Sequence, residues 1–155
     1  MVSEIWKGRG PRLSVEQAVA SVGQSYYSAP FQINLNSLEV FRESIHDYLA
    51  YPPEENPQYP VEQVNFTYLL SLVDVLRVQL FDDDPAYTTL TCGIEGARIR
   101  QPIYTTDVLT MRCVLKEFKK VRDKFWMTTR YEFMKSSSDV IVAEHELISC
   151  LIPKQ

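Results

Sequence analysis

The chain has 155 residues, enough for one domain with a substantial core, and its 45% hydrophobic and 23% charged content is ordinary for a soluble globular protein. A net charge of −4 argues against a general nucleic-acid binder. No stretch reaches the ~18 uninterrupted apolar residues needed to cross a bilayer, and no apolar run with a cleavage site opens the sequence, so a cytoplasmic protein is expected.

Residues 1–13 carry Gly8, Gly10 and Pro11 and read as a flexible N-terminal tail, with a single domain over 14–155. Ser14 followed three residues later by Gln17 is a capping-box signature for a short helix ending near Gly23. Gln24 to Ile33 is aromatic-rich and contains Pro30, which predicts a broken edge strand. Asn36 or Ser37 can cap a helix in which Leu38, Phe41, Ile45, Tyr48 and Leu49 form one apolar stripe. Tyr51 to Pro60 holds four prolines and must be a loop. From about Val64 to Phe81 nearly every face is apolar, which predicts a long buried helix. Thr67, Ser71 and Asp74 make one narrow polar stripe along it. Asp82-Asp83-Asp84-Pro85 ends this helix sharply.

Four strands are then expected, at about Tyr87–Gln101, Tyr104–Lys119, Lys124–Lys135 and Asp139–Pro153, rich in Thr, Val, Ile, Tyr and Phe. Leu109, Met111, Cys113, Leu115 and Glu117 should share one face of the second of these. Cys92, Cys113 and Cys150 are odd in number, fall within strands and lack CxxC spacing. They read as small buried or half-buried apolar residues, with no metal site expected. One buried helix followed by a curved antiparallel sheet is an α+β layout, that of a hotdog fold.

Three stretches resemble the MaoC-like branch of hotdog proteins, the (R)-specific enoyl-thioester hydratases and 3-hydroxyacyl-thioester dehydratases. They are Ser21-Val22-Gly23-Gln24 with Phe31-Gln32-Ile33, the run Gly96 to Leu109, and Glu54-Glu55-Asn56-Pro57-Gln58-Tyr59. In the middle stretch Thr106 replaces the family's usual Gly. The last resembles the family's catalytic loop D-x-N-P-[LIV]-H, with Glu54 at the Asp position and Tyr59 at the His position. The resemblance implies hydration or dehydration of an acyl thioester, with Glu54 as base and Tyr59 as its helper; His46, in the helix before the loop, is either a partly buried, hydrogen-bonded histidine or the base that Tyr59 cannot supply. Tyr is a weak substitute for His, because its ordinary pKa near 10 makes it a donor at neutral pH. The alternatives are a non-catalytic hotdog subunit that binds the acyl chain in a heterodimer, or thioester hydrolysis or cyclisation.

Asn56 belongs to the same loop. The helix start around Val64 and Asn65 offers backbone N–H groups that can polarise a thioester carbonyl. Thr67, Ser71 and Asp74 either bond to strands or a dimer mate, or wall an acyl tunnel. Lys119, Lys120, Arg122 and Lys124, with Lys116, form a basic hairpin: a soluble turn, or a docking patch for CoA or the phosphopantetheine arm of a carrier protein. His145, between Glu144 and Glu146, is expected at the surface or an interface. No cofactor is expected beyond the carrier arm, and the protein is expected as a homodimer or a heterodimer with another hotdog chain.

Overall fold

The apolar run after the proline-rich loop forms the longest helix. In the computed structural model, which describes residues 5–45 and 62–155, this helix spans Phe66–Leu80. The remaining elements in chain order are α1 (Val15–Ala20), β1 (Ser25–Tyr27), α2 (Leu35–Ser44), then the long helix as α3, followed by β2 (Tyr87–Ile99), β3 (Leu109–Val121), β4 (Lys124–Lys135) and β5 (Val140–Pro153).

The five strands make one antiparallel sheet in the order β1-β3-β4-β5-β2. Helix α3 lies on one face of it. Tyr68, Leu69, Leu72, Val73 and Leu76 are buried against Met111, Cys113, Tyr131, Phe133, Val142 and Ala143 of β3 to β5. Each such side chain contributes roughly 1.5–3 kcal/mol by leaving water. The polar stripe is the exception: Thr67, Ser71 and Asp74 are exposed, so α3 is covered on three sides rather than all round.

Local chemistry sets the element ends. Ser14 and Gln17 close the expected capping box on α1. Helix α2 starts two residues earlier than expected, because Asn34 accepts from the Ser37 N–H and serves as its cap. β3 starts at Leu109 rather than Tyr104, because the Asp107 carboxylate accepts from the Tyr104 N–H and ties residues 104–107 into a turn. A bulge between Leu115 and Glu117 shifts the register, so Glu117 does not continue the core-facing row and Phe118 turns inward instead.

Residues 5–13, read from the sequence as tail, run along the C-terminal half of α3. Ile5 is buried in the core, and the Lys7 N–H donates to Gln79 Oε1 at 2.6 Å. The Gly10 N–H donates to the Val78 carbonyl at 2.8 Å, and a Cβ at Gly10 would lie 2.5 Å from the Gln79 carbonyl oxygen, so only glycine permits this approach. The three aspartates after α3 complete the anchor. Asp82 accepts from Arg9 at 2.7 Å, Asp83 from Arg77 at 3.0 Å, and Asp84 from the Val15 N–H at 3.1 Å. Partial burial works to raise the Asp82 pKa, but the Asp83 N–H and the Arg9 guanidinium outweigh it and hold the carboxyl below its usual value.

Candidate functional site

The N-terminus of α3 is fixed from both sides. The Val64 N–H donates to the Ile103 carbonyl at 2.7 Å, and the Thr105 N–H donates to the Glu62 carbonyl at 2.9 Å. Val64 is 1% exposed, so it anchors the helix start, and its N–H is not free to polarise a substrate. Asn65 stands at the cap position with extended backbone but makes no side-chain cap bond, and its Oδ1 is buried without a hydrogen-bond partner among the described residues. Among the described residues the first-turn N–H groups therefore lack a capping side chain, which is the arrangement that receives a developing negative charge.

Beneath this turn lies His145. Contrary to the expectation of a surface position, it is 2% exposed. Its ring meets Phe66, the first residue of α3, edge-on at 5.9 Å and stacks on Tyr131 at 5.2 Å. Burial lowers its pKa to about 4, so the imidazole is neutral at pH 7, and Nδ1 has no hydrogen-bond partner among the described residues. The Tyr131 hydroxyl has no oxygen or nitrogen partner among them either; the thiol of Cys113 beside it is at most a weak one. Burial and the neighbouring Cys113 push the Tyr131 pKa well above the ordinary value and keep the O–H as a donor. A buried polar atom left unpaired costs roughly 1–3 kcal/mol, and Asn65 and His145 at the helix start each carry one, as does Tyr131 further along the sheet.

Tyr131 also lines a cavity of about 430 Å³ between the C-terminal half of α3 and strands β2, β4 and β5. Asp74 and Arg77 face it from the helix, Thr89 and Thr91 from β2, and Ser149 from β5. The Arg77 guanidinium is compensated by its two bonds to Asp83, at 3.0 and 3.3 Å.

Solved structures share this architecture. Residues making up 84% of the chain superpose on 96% of a chain of the C-terminally truncated HadBC (3R-hydroxyacyl-ACP dehydratase) complex from Mycobacterium tuberculosis, with TM-score 0.67 and 12% identity. The (R)-hydratase from A. caviae involved in PHA biosynthesis matches over 83% of this chain and 94% of its own, with TM-score 0.57 and 18% identity. This chain has a hotdog fold. The monoamine oxidase regulatory protein from Archaeoglobus fulgius has it as well, over 86% of this chain and 91% of its own, with TM-score 0.67 and 18% identity. No protein-family model matches the chain, and no curated protein matches its sequence.

On the hotdog frame the expected site residues separate. Glu54, Asn56, Tyr59 and His46 lie outside the described residues. Asn65 sits at the head of the hotdog helix. Thr67 and Ser71 are exposed; the Ser71 hydroxyl donates to the Tyr68 carbonyl at 2.6 Å within its own helix, so neither an interaction with the strands nor a tunnel wall is seen for it. Asp74 stands at the mouth of the cavity.

The basic hairpin is at the other end of the molecule. Phe81 and Asp82 to Asp84, which follow the hotdog helix, share a small pocket with Leu115, Phe118, Met127 and Leu151 at the base of that hairpin. The helix start is therefore a full helix away, about 22 Å for fifteen residues. Lys119 pairs with Glu117 at 2.5 Å and Lys120 lies over the Phe125 ring, while Arg122 forms the turn with positive φ and is exposed, as is Lys124. Of the cysteines, Cys113 and Cys150 are buried as expected. Cys92 is exposed, because β2 is an edge strand with nothing beside it among the described residues. Among the described residues, no group of His, Cys, Asp and Glu is placed to hold a metal, and no helix is long and apolar enough to cross a membrane.

His145 is the residue that sequence reasoning missed. The alternation Ala143, His145, Leu147 on one side of β5, with Glu144 and Glu146 on the other, is the signal that could have placed it inward.

Proposed function

We propose that the chain is a hydratase or dehydratase of acyl thioesters, whose carrier is CoA or a protein-bound phosphopantetheine. The observation that carries this reading is the start of α3: Asn65 makes no side-chain cap bond to the first-turn N–H groups, and neutral, buried His145 lies against Phe66 beneath them. Such a terminus stabilises the enolate oxygen that forms when a thioester loses a C2 proton. The resemblance of Glu54–Tyr59 to the family's catalytic loop supplies the proton transfers. Glu54 takes the C2 proton, and Tyr59 or His46 protonates the C3 hydroxyl, which leaves as water; hydration runs the same steps in reverse. No further cofactor enters, and the reducing cytoplasm is the proposed setting. The dehydratase and hydratase among the structural neighbours support the reaction class. The test is the loss of conjugated enoyl absorbance with a short enoyl-CoA and its carrier-protein counterpart. Turnover that vanishes in Glu54→Gln supports the assignment; undiminished turnover in that variant removes Glu54 from it.

A second reading is favoured by β2. This edge strand exposes Leu90, Ile94 and Ile99 at 48%, 47% and 41% beside backbone unpaired among the described residues. We propose that it is covered by another hotdog chain, a second copy or a distinct one, and the HadBC neighbour is itself a complex. In a heterodimer the chain would hold the acyl group while its partner performs the chemistry. Sedimentation of the purified chain, followed by a pull-down, separates homodimer from heterodimer.

A further inference from the structure

Three polar features lie outside the chemistry assigned above: the charged row on the outer face of the sheet, the basic hairpin, and the cavity beside the C-terminal half of α3. The outer row neutralises itself, and the hairpin is partly paired with Glu117 and Phe125. The cavity is different, because its walls hold hydrogen-bonding groups that no oxygen or nitrogen among the described residues satisfies. Tyr131 lines it from β4 and Thr89 from β2, and both hydroxyls are in this state. Tyr131 is fully buried, so its O–H cannot turn to solvent for a partner. Ser149 and Thr91 add two further hydroxyls to the same wall, and Arg77 and Asp83 close the floor as a pair of balanced charge.

A hydrocarbon chain in this space would leave those hydroxyls as they are, buried and unpaired, the least favourable state for a polar group. A chain bearing oxygen would satisfy them. Asp74 at the cavity mouth is nine residues along α3 from Asn65, about 13 Å from the helix start. A long acyl chain, of hexadecanoyl length, held by its thioester at that start and extended along α3 would bring its distal half to the cavity.

Resting on the acyl-thioester reading, we propose that the substrate is an oxygenated acyl chain, carrying hydroxyl or keto groups in its distal half, and that Tyr131 and Thr89 select it. Tyr131 donates to the distal oxygen and Thr89 donates or accepts. A plain fatty acyl chain is the poorer ligand.

The experiment measures binding by calorimetry of two non-reacting CoA thioesters to the full chain: hexadecanoyl-CoA, and a hexadecanoyl-CoA analogue with hydroxyl groups on the distal half. The oxygenated thioester should bind roughly tenfold tighter, the effect of one or two hydrogen bonds. In Tyr131→Phe, and separately in Thr89→Val, the ratio of the two affinities should fall toward one. Thr89 sits on the edge strand, so its variant keeps the test open should Tyr131→Phe not fold. Equal or tighter binding of the plain chain, or a ratio unmoved in a folded variant, overturns the proposal while leaving the acyl-thioester reading standing. Binding of neither thioester overturns both.

Discussion

Glu132 and Glu144 stand directly opposite each other on β4 and β5, both buried, at 4% and 5% exposure. Like charges so placed repel. They persist because arginines surround them: Arg112 and Arg130 bond to Glu132, and Arg100 and Arg130 bond to Glu144. The row crosses the whole sheet as Tyr27, Arg112, Glu132, Glu144 and Arg98, joining all five strands on the face away from α3.

Arg130 is the keystone of this row. Among the described residues it alone donates to both carboxylates, at 2.7 and 3.1 Å. Arg130→Met should cost about 2–4 kcal/mol in urea denaturation, because it leaves two buried carboxylates facing each other. Arg98→Met, removing a side chain that is 61% exposed, should cost under about 1 kcal/mol. Adding Glu144→Gln to Arg130→Met should recover part of the loss. Equal costs for the two arginines would refute the bridging role.

Stability should fall with acid in two steps. His145 is the first. Its folded pKa, about 4, lies below the ordinary 6.5, so the unfolded chain binds the proton first. The native state loses stability as pH drops from about 6.5 toward 4. Glu144 and Asp82 act in the second step. The Arg100 hydrogen bond is the main cause for Glu144, and both carboxyls are held below their ordinary values. Their contribution is present above the unfolded carboxylate pKa and disappears as pH falls through the lower folded values. Chemical denaturation in a pH series should show both steps, and His145→Phe should flatten the first. An unchanged slope in that variant would place the titration elsewhere.

Leu72 is 5% exposed in the centre of the face that α3 turns to the sheet. Leu72→Asp buries a charge without a partner and should unfold the domain, seen as loss of the cooperative melt. A soluble, cooperatively folding variant would contradict the placement of α3.

The edge of β2 gives a further prediction. Leu90→Arg with Ile94→Arg should leave the melting temperature of the monomer nearly unchanged, since both side chains are about half exposed, and should lower the molar mass in solution. An assembly of undiminished mass would show that β2 is not the contact.

The sheet and α3 were legible in the sequence because period and residue type agreed. Val, Ile, Thr and aromatic runs alternate in β3 and β4, and an apolar residue fell on almost every face of Val64 to Phe81. What escaped was set by distant contacts. The strap over residues 5–13 depends on partners about seventy positions away, at Val78, Gln79 and Asp82, and its glycine looked like a mark of looseness rather than of close approach. His145 escaped because its glutamate neighbours suggested solvent, whereas Glu144 is itself buried under arginines. The basic hairpin was plain in the sequence, but only the register of β3 against β4 shows that it lies at the far end of α3 from the helix start. Glu54 and Tyr59 rest on the loop resemblance, and His46 on its place in the helix expected before that loop.

The measurement that bears most directly on the central claim is the absorbance of a conjugated enoyl thioester, on CoA and on a carrier protein, mixed with the purified chain. The account predicts loss of the conjugated band with wild type, and no loss with Glu54→Gln of unchanged melting temperature. A folded wild-type chain that leaves both thioesters untouched, alone and with any hotdog partner recovered by pull-down, would contradict it.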